Sequence, residues 1–324
     1  MGCGERSEHR ETKALPEARW LSLPIIHRQS SVVNRRGFTL IELLVVIALI
    51  ALLLAIFVPV MQTARERGQR AVCLSNLHQL TTAWTTYADE HGGKLVFGNA
   101  FTVRIQGNKR AFSWVGGPFL SESRAALIET PDKGKGALWP YLRDIDIYRC
   151  PRGRAGHALT YAIVAGANGT ALPGTEVTGV DPDAIHASVR VGSTVVRLTR
   201  ITDIVSPGAA QRAVFIDHGR LLNGCFLVDY VYPRWLSPPA LHHHDGTTLS
   251  MADGHAEYWR WEGRETLTGL PRVMLEDGQE NLDGGGCEPQ TEDGLYDLQR
   301  VQTATWGRLG YPREKSLAEI WAGK

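Results

Sequence analysis

The sequence predicts an α+β protein: one long N-terminal helix, its first half spanning a membrane, packed on an antiparallel β-rich globular domain. Three observations predict it. Phe38 to Met61 is a run of 24 residues with a single charge, Glu42. Apolar residues then continue at helical spacing, and beyond Lys94 short β-branched and aromatic runs alternate with turn residues. The composition agrees, with 324 residues, 43% hydrophobic and 21% charged, which excludes wholesale disorder and low-complexity architectures. Lys+Arg 35 against Asp+Glu 34 lacks the basic excess of a dedicated nucleic-acid binder.

Residues 1–37 come first and differ in kind. Seven Lys/Arg against four Glu give them a net charge of +3, and they abut the apolar run as an export signal would. The apolar run is longer than a secretory signal's, and Gln62-Thr63-Ala64-Arg65 is a poor cleavage site. At 1.5 Å per residue, residues 38–61 would span about 36 Å, enough to cross a hydrocarbon core of about 30 Å with some tilt. Orientation is nearly tied by charge: Arg28, Arg35 and Arg36 precede the span, while Arg65, Arg67 and Arg70 follow it.

Leu77, Leu80, Trp84 and Tyr87 extend the helix as an amphipathic second half over residues 62–91, its stripe being core packing. His91-Gly92-Gly93 is its stop, and Pro59 should kink or loosen it. The globular domain, residues 92–324, has strand candidates at Lys94–Phe97, Phe101–Ile105, Ala111–Val115, Tyr161–Ala165, Ser193–Ile201, Ala213–Asp217 and Cys225–Tyr232. Its clearest element is a hairpin, Thr247–Ala252 with His255–Trp261, joined by a two-residue Asp253-Gly254 turn with positive φ at both positions. Ala167–Gly179 and Asp277–Gly294 read as loops.

Arg35-Arg36-Gly37-Phe38-Thr39-Leu40-Ile41-Glu42 and the apolar run after it resemble the processing site of type IV prepilins and type II secretion pseudopilins. The resemblance implies a cut between Gly37 and Phe38 by a prepilin peptidase, N-methylation of Phe38, and a leader on the cytoplasmic side of the inner membrane. The globular domain would then be periplasmic or at the cell surface. It implies that Glu42, a costly acid within a membrane span, pairs with the N-terminal amine of a neighbouring subunit. Other pilin-like subunits, an inner-membrane platform protein and an assembly ATPase are the partners it implies. His243 followed by nine residues and Asp253-Gly254 is similar to the H-x9-DG pattern near the end of large prepilin-like proteins. Ala71–Leu77 and Tyr148–Pro151 look like that family's intermediate landmarks. The leader is longer than most in the family, which leaves the true start codon open.

Chemistry candidates are few. His242-His243-His244-Asp245 with Asp253 and His255 is a dense set of metal-ligand types, which Asp217-His218-Gly219 could join in space. Adjacent histidines in an extended segment point alternately, and no zinc-protease spacing is present, so a loop-and-hairpin motif is the preferred reading. Asp277, Asp283 and Asp293 in Gly-rich loops offer calcium-type oxygens, an idea the family raises slightly; otherwise no cofactor is expected. Cys73, Cys150, Cys225 and Cys287 allow three full disulfide connectivities, which sequence leaves open. Trp235, Tyr258, Trp259 and Trp261 read as core or edge cover rather than a ligand surface. The expected function is that of a structural, non-enzymatic subunit assembling into a pilus or a type II secretion pseudopilus. Its rivals are a membrane-anchored metal-dependent hydrolase using His243, Asp245, Asp253 or His255, and a surface adhesin.

Overall fold

A computed structural model describes residues 37–100, 103–106, 109–120, 124–169, 188–220, 225–238, 241, 243–268, 270, 287–313 and 319. The chain divides into two units, Met1–Ile56 and Phe57–Lys324. Helix α1, Leu40–Glu90, begins in the first and ends in the second.

After Glu42 the first part of α1 is apolar on every side. An 18-residue stretch of the helix has mean hydropathy 3.3, and none of it is buried. The helix of a soluble core would instead show a covered stripe, so length, composition and exposure together fit a single-pass membrane anchor. Pro59 lies inside the uninterrupted helix, where its ring removes the donor that the carbonyl four residues earlier would have received. The Thr63 hydroxyl donates to the Pro59 carbonyl at 3.1 Å.

From Cys73 onward α1 becomes one-sided. Cys73, Asn76, Leu77, Leu80, Thr81, Trp84 and Ala88 are buried, the three-and-four spacing that keeps one face inward. Tyr87, expected in the same stripe, is half-buried at its edge and stacks on His91 with ring centroids 3.9 Å apart. The helix stops where expected. Gly92 and Gly93 adopt φ of +64° and +81°, and the Gly93 amide donates back to the Ala88 carbonyl at 2.7 Å.

The strands follow in chain order: β1 (Val103–Gln106), β2 (Lys109–Phe112), β3 (Tyr161–Ile163), β4 (Val189–Val191), β5 (Thr194–Arg197), β6 (Ala213–Asp217), β7 (Gly246–Met251) and β8 (Ala256–Arg260). β1 pairs with β2 and β4 with β5, while β3-β6-β7-β8 form an antiparallel sheet. Among the described residues four further helices are α2 (Arg124–Glu129), α3 (Trp139–Leu142), α4 (Arg264–Thr268) and α5 (Glu292–Trp306). An α+β fold with an antiparallel sheet is thus what the chain adopts.

Register decides what α1 meets. Tyr161 pairs with Asp217, Ile163 with Phe215, Phe215 with Ser250, and Thr248 with Tyr258, so these residues share one face of the sheet. α1 lies across that face. The Thr81 hydroxyl donates to Ser250 Oγ at 2.6 Å, and the Arg70 guanidinium sits 3.7 Å over the Tyr258 ring. Small hydroxyl residues on β7 let the helix approach closely while satisfying their own polar atoms. Beside them Trp114, Phe119, Tyr148 and Phe215 form an aromatic core, with Trp114 edge-on to Phe215 at 5.3 Å.

Several expected elements differ. Lys94–Phe97 and Cys225–Tyr232 contribute isolated bridges rather than strands, at Lys94, Phe97, Phe226 and Val228. Ser193–Ile201 is a strand over Thr194–Arg197 alone. The hairpin turn is also corrected. Gly254 has φ of +95° while Asp253 does not enter the left-handed region. The Gly254 amide donates to the Met251 carbonyl, and the Met251 amide to that of His255, both at 2.9 Å. This is a three-residue loop with a glycine bulge, which needs one left-handed residue instead of two. Of the expected Asp277–Gly294 loop, residues 277–286 lie outside the described residues, and its last three open α5. Thr291 caps that helix by accepting from the Gly294 amide at 3.1 Å.

A close approach anchors the far end of α5. A Cβ placed on Gly166 would lie 1.8 Å from the Thr305 carbonyl oxygen. Because the obstacle is backbone, Gly166→Ala should cost about 3 kcal/mol, read as a lower denaturant midpoint of the detergent-solubilised chain. A change below about 0.5 kcal/mol, the range of ordinary surface substitutions, would mean that this packing is not present.

Candidate functional site

Two places in the described residues carry chemistry. The first is the start of α1. Gly37, Phe38 and Thr39 precede the helix, and Phe38 is 70% exposed. The Leu43 amide donates to the Thr39 carbonyl at 3.2 Å, which makes Thr39 the N-cap. The Glu42 amide donates to Thr39 Oγ1 at 3.2 Å, and the Thr39 amide returns a bond to Glu42 Oε2 at 2.8 Å. This is a reciprocal capping box, and the Thr39 hydroxyl adds a third bond to the same oxygen at 2.7 Å. The sequence spacing Thr-x-x-Glu was the signal for it. Glu42 therefore has a partner within its own chain.

The second place is buried. Cys73 on α1, Cys150 in the loop before β3, Asp217 at the end of β6 and His243 just before β7 are each 0% exposed. Their ligand atoms all lie within 4.8 Å of one another. The Cys73 thiol donates to Asp217 Oδ2 at 3.2 Å, and His243 Nε2 lies 3.1 Å from the same oxygen and 3.3 Å from Cys150 Sγ.

Surrounding residues hold each member. Tyr161 donates its hydroxyl to Cys73 Sγ at 3.2 Å, and Thr248 Oγ1 shares a hydrogen bond with that sulfur at 2.9 Å. Asn76, one helical turn from Cys73, donates to the Arg149 carbonyl at 3.2 Å, and the Cys150 amide donates to Thr160 Oγ1 at 2.7 Å. The Gly219 amide occupies Asp217 Oδ1 at 2.9 Å, which turns Oδ2 toward the cluster. Burial pushes the Cys73 thiol well above its ordinary value, and the nearby Cys150 sulfur and Asp217 charge add to this. For His243 burial disfavours the imidazolium, yet the bonds to Asp217 and then Cys150 outweigh it and carry the group up to about 9.

The described members of the histidine cluster do not gather as a unit. His243 is buried, while His244 is exposed with φ of +70° and His242 lies outside the described residues. Asp245 pairs with Arg260 at 2.7 Å and accepts from the Tyr258 hydroxyl. Asp253 and His255 pair with each other at 2.6 Å on the hairpin tip. Gly254 turns its carbonyl to His78 Nδ1 on α1 at 2.7 Å. Thus the two ends of the H-x9-DG stretch dock the sheet on one helix by different means, His243 through the buried cluster and Gly254 through the tip. Asp217, foreseen as a residue that could join in space, does so. Cys73 and Cys150, disulfide candidates that also fall within the two landmark stretches, are both thiols here.

Of the calcium candidates, Asp293 is exposed in the first turn of α5, where a carboxylate complements the helix dipole. Asp277 and Asp283 lie outside the described residues. Trp235 and Trp261 are buried edge-to-face with centroids 6.0 Å apart, and Arg300 covers Trp259 at 4.5 Å.

Residues 33–58 match the family described as the prokaryotic N-terminal methylation motif. The stretch contains Gly37, Phe38, Glu42 and most of the apolar run, and it ends well before His243. Among curated proteins, the chain is 49% identical over 45 residues to the type IV wide pilus major component PilA4 of Thermus thermophilus. That alignment covers 14% of this chain and 34% of the relative, so the chain spans about a third of the length of the curated protein it matches. No solved structure matches it. With the fold described above, these matches support a type IV pilin-like protein bearing a prepilin-type methylation motif.

Proposed function

We propose that the chain is a structural subunit that a prepilin peptidase cleaves between Gly37 and Phe38 and methylates on Phe38. The mature protein then assembles through α1 into a pilus or a type II secretion pseudopilus. The observation that carries this reading is the start of α1. A capped helix end lies one residue beyond the motif's Gly-Phe junction, and eighteen large apolar side chains from Phe38 to Met61 are exposed behind it. Such a surface is stable only in lipid or against other apolar helices, and a subunit passing from membrane to filament needs both.

In this reading the leader is cytoplasmic, the span crosses the inner membrane, and the globular domain is periplasmic or outside the cell. The partners are the peptidase, neighbouring pilin-like subunits, a platform protein and an assembly ATPase. The protein acts by assembly rather than catalysis. In support, the side chains of His243, Asp245, Asp253 and His255 engage different partners instead of converging as hydrolase ligands.

Mass spectrometry of the protein recovered from its native membrane tests the proposal. The expected mature chain begins at N-methyl-Phe38. A chain that retains its leader, or one that begins near Ala64, would sink it.

A further inference from the structure

We propose that Cys73, Cys150, Asp217 and His243 hold one zinc ion in a closed structural site. The inference stands apart from the assembly reading, since it concerns how the globular unit is held together.

Geometry comes first. Two sulfurs, one carboxylate oxygen and one imidazole nitrogen converge from four separate segments of the chain, and all four residues are withdrawn from water. With zinc–ligand lengths of about 2.0–2.3 Å, the edges of a tetrahedron run from about 3.3 to about 3.8 Å. Three of the six edges, at 3.1, 3.2 and 3.3 Å, lie close to that range and the other three lie within 4.8 Å, so small side-chain shifts would close the shell around the ion.

Chemistry selects the metal. Two thiolates with imidazole and one carboxylate suit zinc, whereas calcium and magnesium take oxygen shells. Binding expels both thiol protons and the proton on His243 Nε2, leaving three negative ligands around a 2+ ion. The resulting single negative charge is met by donors already present. The Tyr161 hydroxyl and the Thr248 oxygen reach Cys73 Sγ, and the Arg152 amide points at Cys150 Sγ from 3.4 Å. That amide belongs to the Cys150-Pro151-Arg152-Gly153 turn, closed by the Gly153 amide on the Cys150 carbonyl at 2.9 Å. Such a turn aims backbone N–H at a cysteine sulfur, an arrangement that stabilises thiolate over thiol.

A closed shell of four protein ligands leaves no position for water or substrate, so the role is structural. The ion would join α1 to the loop before β3, the end of β6 and the segment before β7. Without metal, the same place buries a carboxylate and an imidazole beside two thiols, an arrangement whose desolvation cost offsets much of its attraction.

The test is elemental analysis of the untagged full chain, purified in detergent with zinc present throughout. We expect one zinc per chain. In Cys73→Ser, Cys150→Ser and Asp217→Asn the content should fall well below stoichiometric, while in His255→Ala it should be unchanged. Because a ligand variant could fail to fold, exchange of the wild-type chain with cobalt supplies a second reading. Tetrahedral d–d bands with thiolate-to-cobalt charge transfer are expected. Zinc far below one per chain together with no cobalt thiolate band overturns the proposal. So does a Cys73–Cys150 disulfide in the peptide map, or zinc that stays stoichiometric in the Cys73→Ser/Cys150→Ser double variant. Each readout is metal content or thiol state, so failure here is distinct from failure of processing or assembly.

Discussion

Gly37→Val is expected to leave only leader-bearing chain in the membrane while the globular unit folds unchanged. The argument rests on what the fold does not ask of this glycine. A Cβ added at Gly37 meets nothing within 4 Å among the described residues, and its φ lies outside the left-handed region that favours glycine. A valine there has room, and the helix cap begins only at Thr39. On the proposed reading the glycine answers a demand of recognition, in which a protease would bring the scissile backbone close to its own groups. Intact mass and N-terminal analysis should report the full leader, with the thermal midpoint of the detergent-solubilised chain unchanged. Filament or pseudopilus fractions should lack the variant. Full maturation of the valine variant at Phe38 would show that the junction is not read through Gly37, and the proposed processing step would fail with it.

The sequence made the helical part of this fold readable because its signals are local. An apolar run of 24 residues, a three-and-four stripe from Leu77 to Trp84 and a Gly-Gly stop each specify structure from their own neighbourhood. β6 was legible over its whole length for the same reason, as a short apolar run between turn residues. Cys225–Tyr232 carries an equally strand-like pattern and yet forms only isolated bridges, because pairing depends on which segment arrives alongside. α5 shows the opposite failure. Its cap at Thr291, its acidic first turn and its apolar positions at Leu295, Leu298 and Val301 are helix signals, but acidic residues beside glycines place its cap and first three residues in the expected loop, and no element is expected over the rest.

The buried cluster illustrates the limit more sharply. His243 stood out within a run of histidines, but the partners of its side chain lie 26 and 93 residues away in Asp217 and Cys150. No spacing rule reaches across such separations. Register supplies the answer: Tyr161, Asp217 and Thr248 share the sheet face that α1 covers, so Cys73 on the inward stripe of α1 must meet them. The clue within reach of sequence was the Cys-Pro-x-Gly turn at 150–153, a shape that points backbone amides at sulfur.

Glu42→Gln and Thr39→Ala should separate the capping role of one carboxylate from the assembly role proposed for it. Glu42 Oε2 takes the bonds from Thr39, while Oε1 accepts none from the described residues and is open to a neighbour's amine. Glutamine also serves in a capping box, so Glu42→Gln keeps the helix start and removes only the charge. Thr39→Ala keeps the charge and removes the cap, at about 1 kcal/mol. If Glu42 pairs with the Phe38 amine of a neighbouring subunit in an apolar setting, its neutralisation strands a buried cation. Such a loss costs about 3 kcal/mol or more, a little over a hundredfold in assembly at tenfold per 1.4 kcal/mol. Thr39→Ala should lower assembly only about fivefold by the same conversion. Both variants should still mature at Phe38, so assembled material is compared at equal levels of processed chain. The decisive pattern is a large loss in Glu42→Gln beside a small one in Thr39→Ala. Equal and mild losses would reduce Glu42 to a helix cap, and the apolar surface of α1 alone would then have to drive subunit packing.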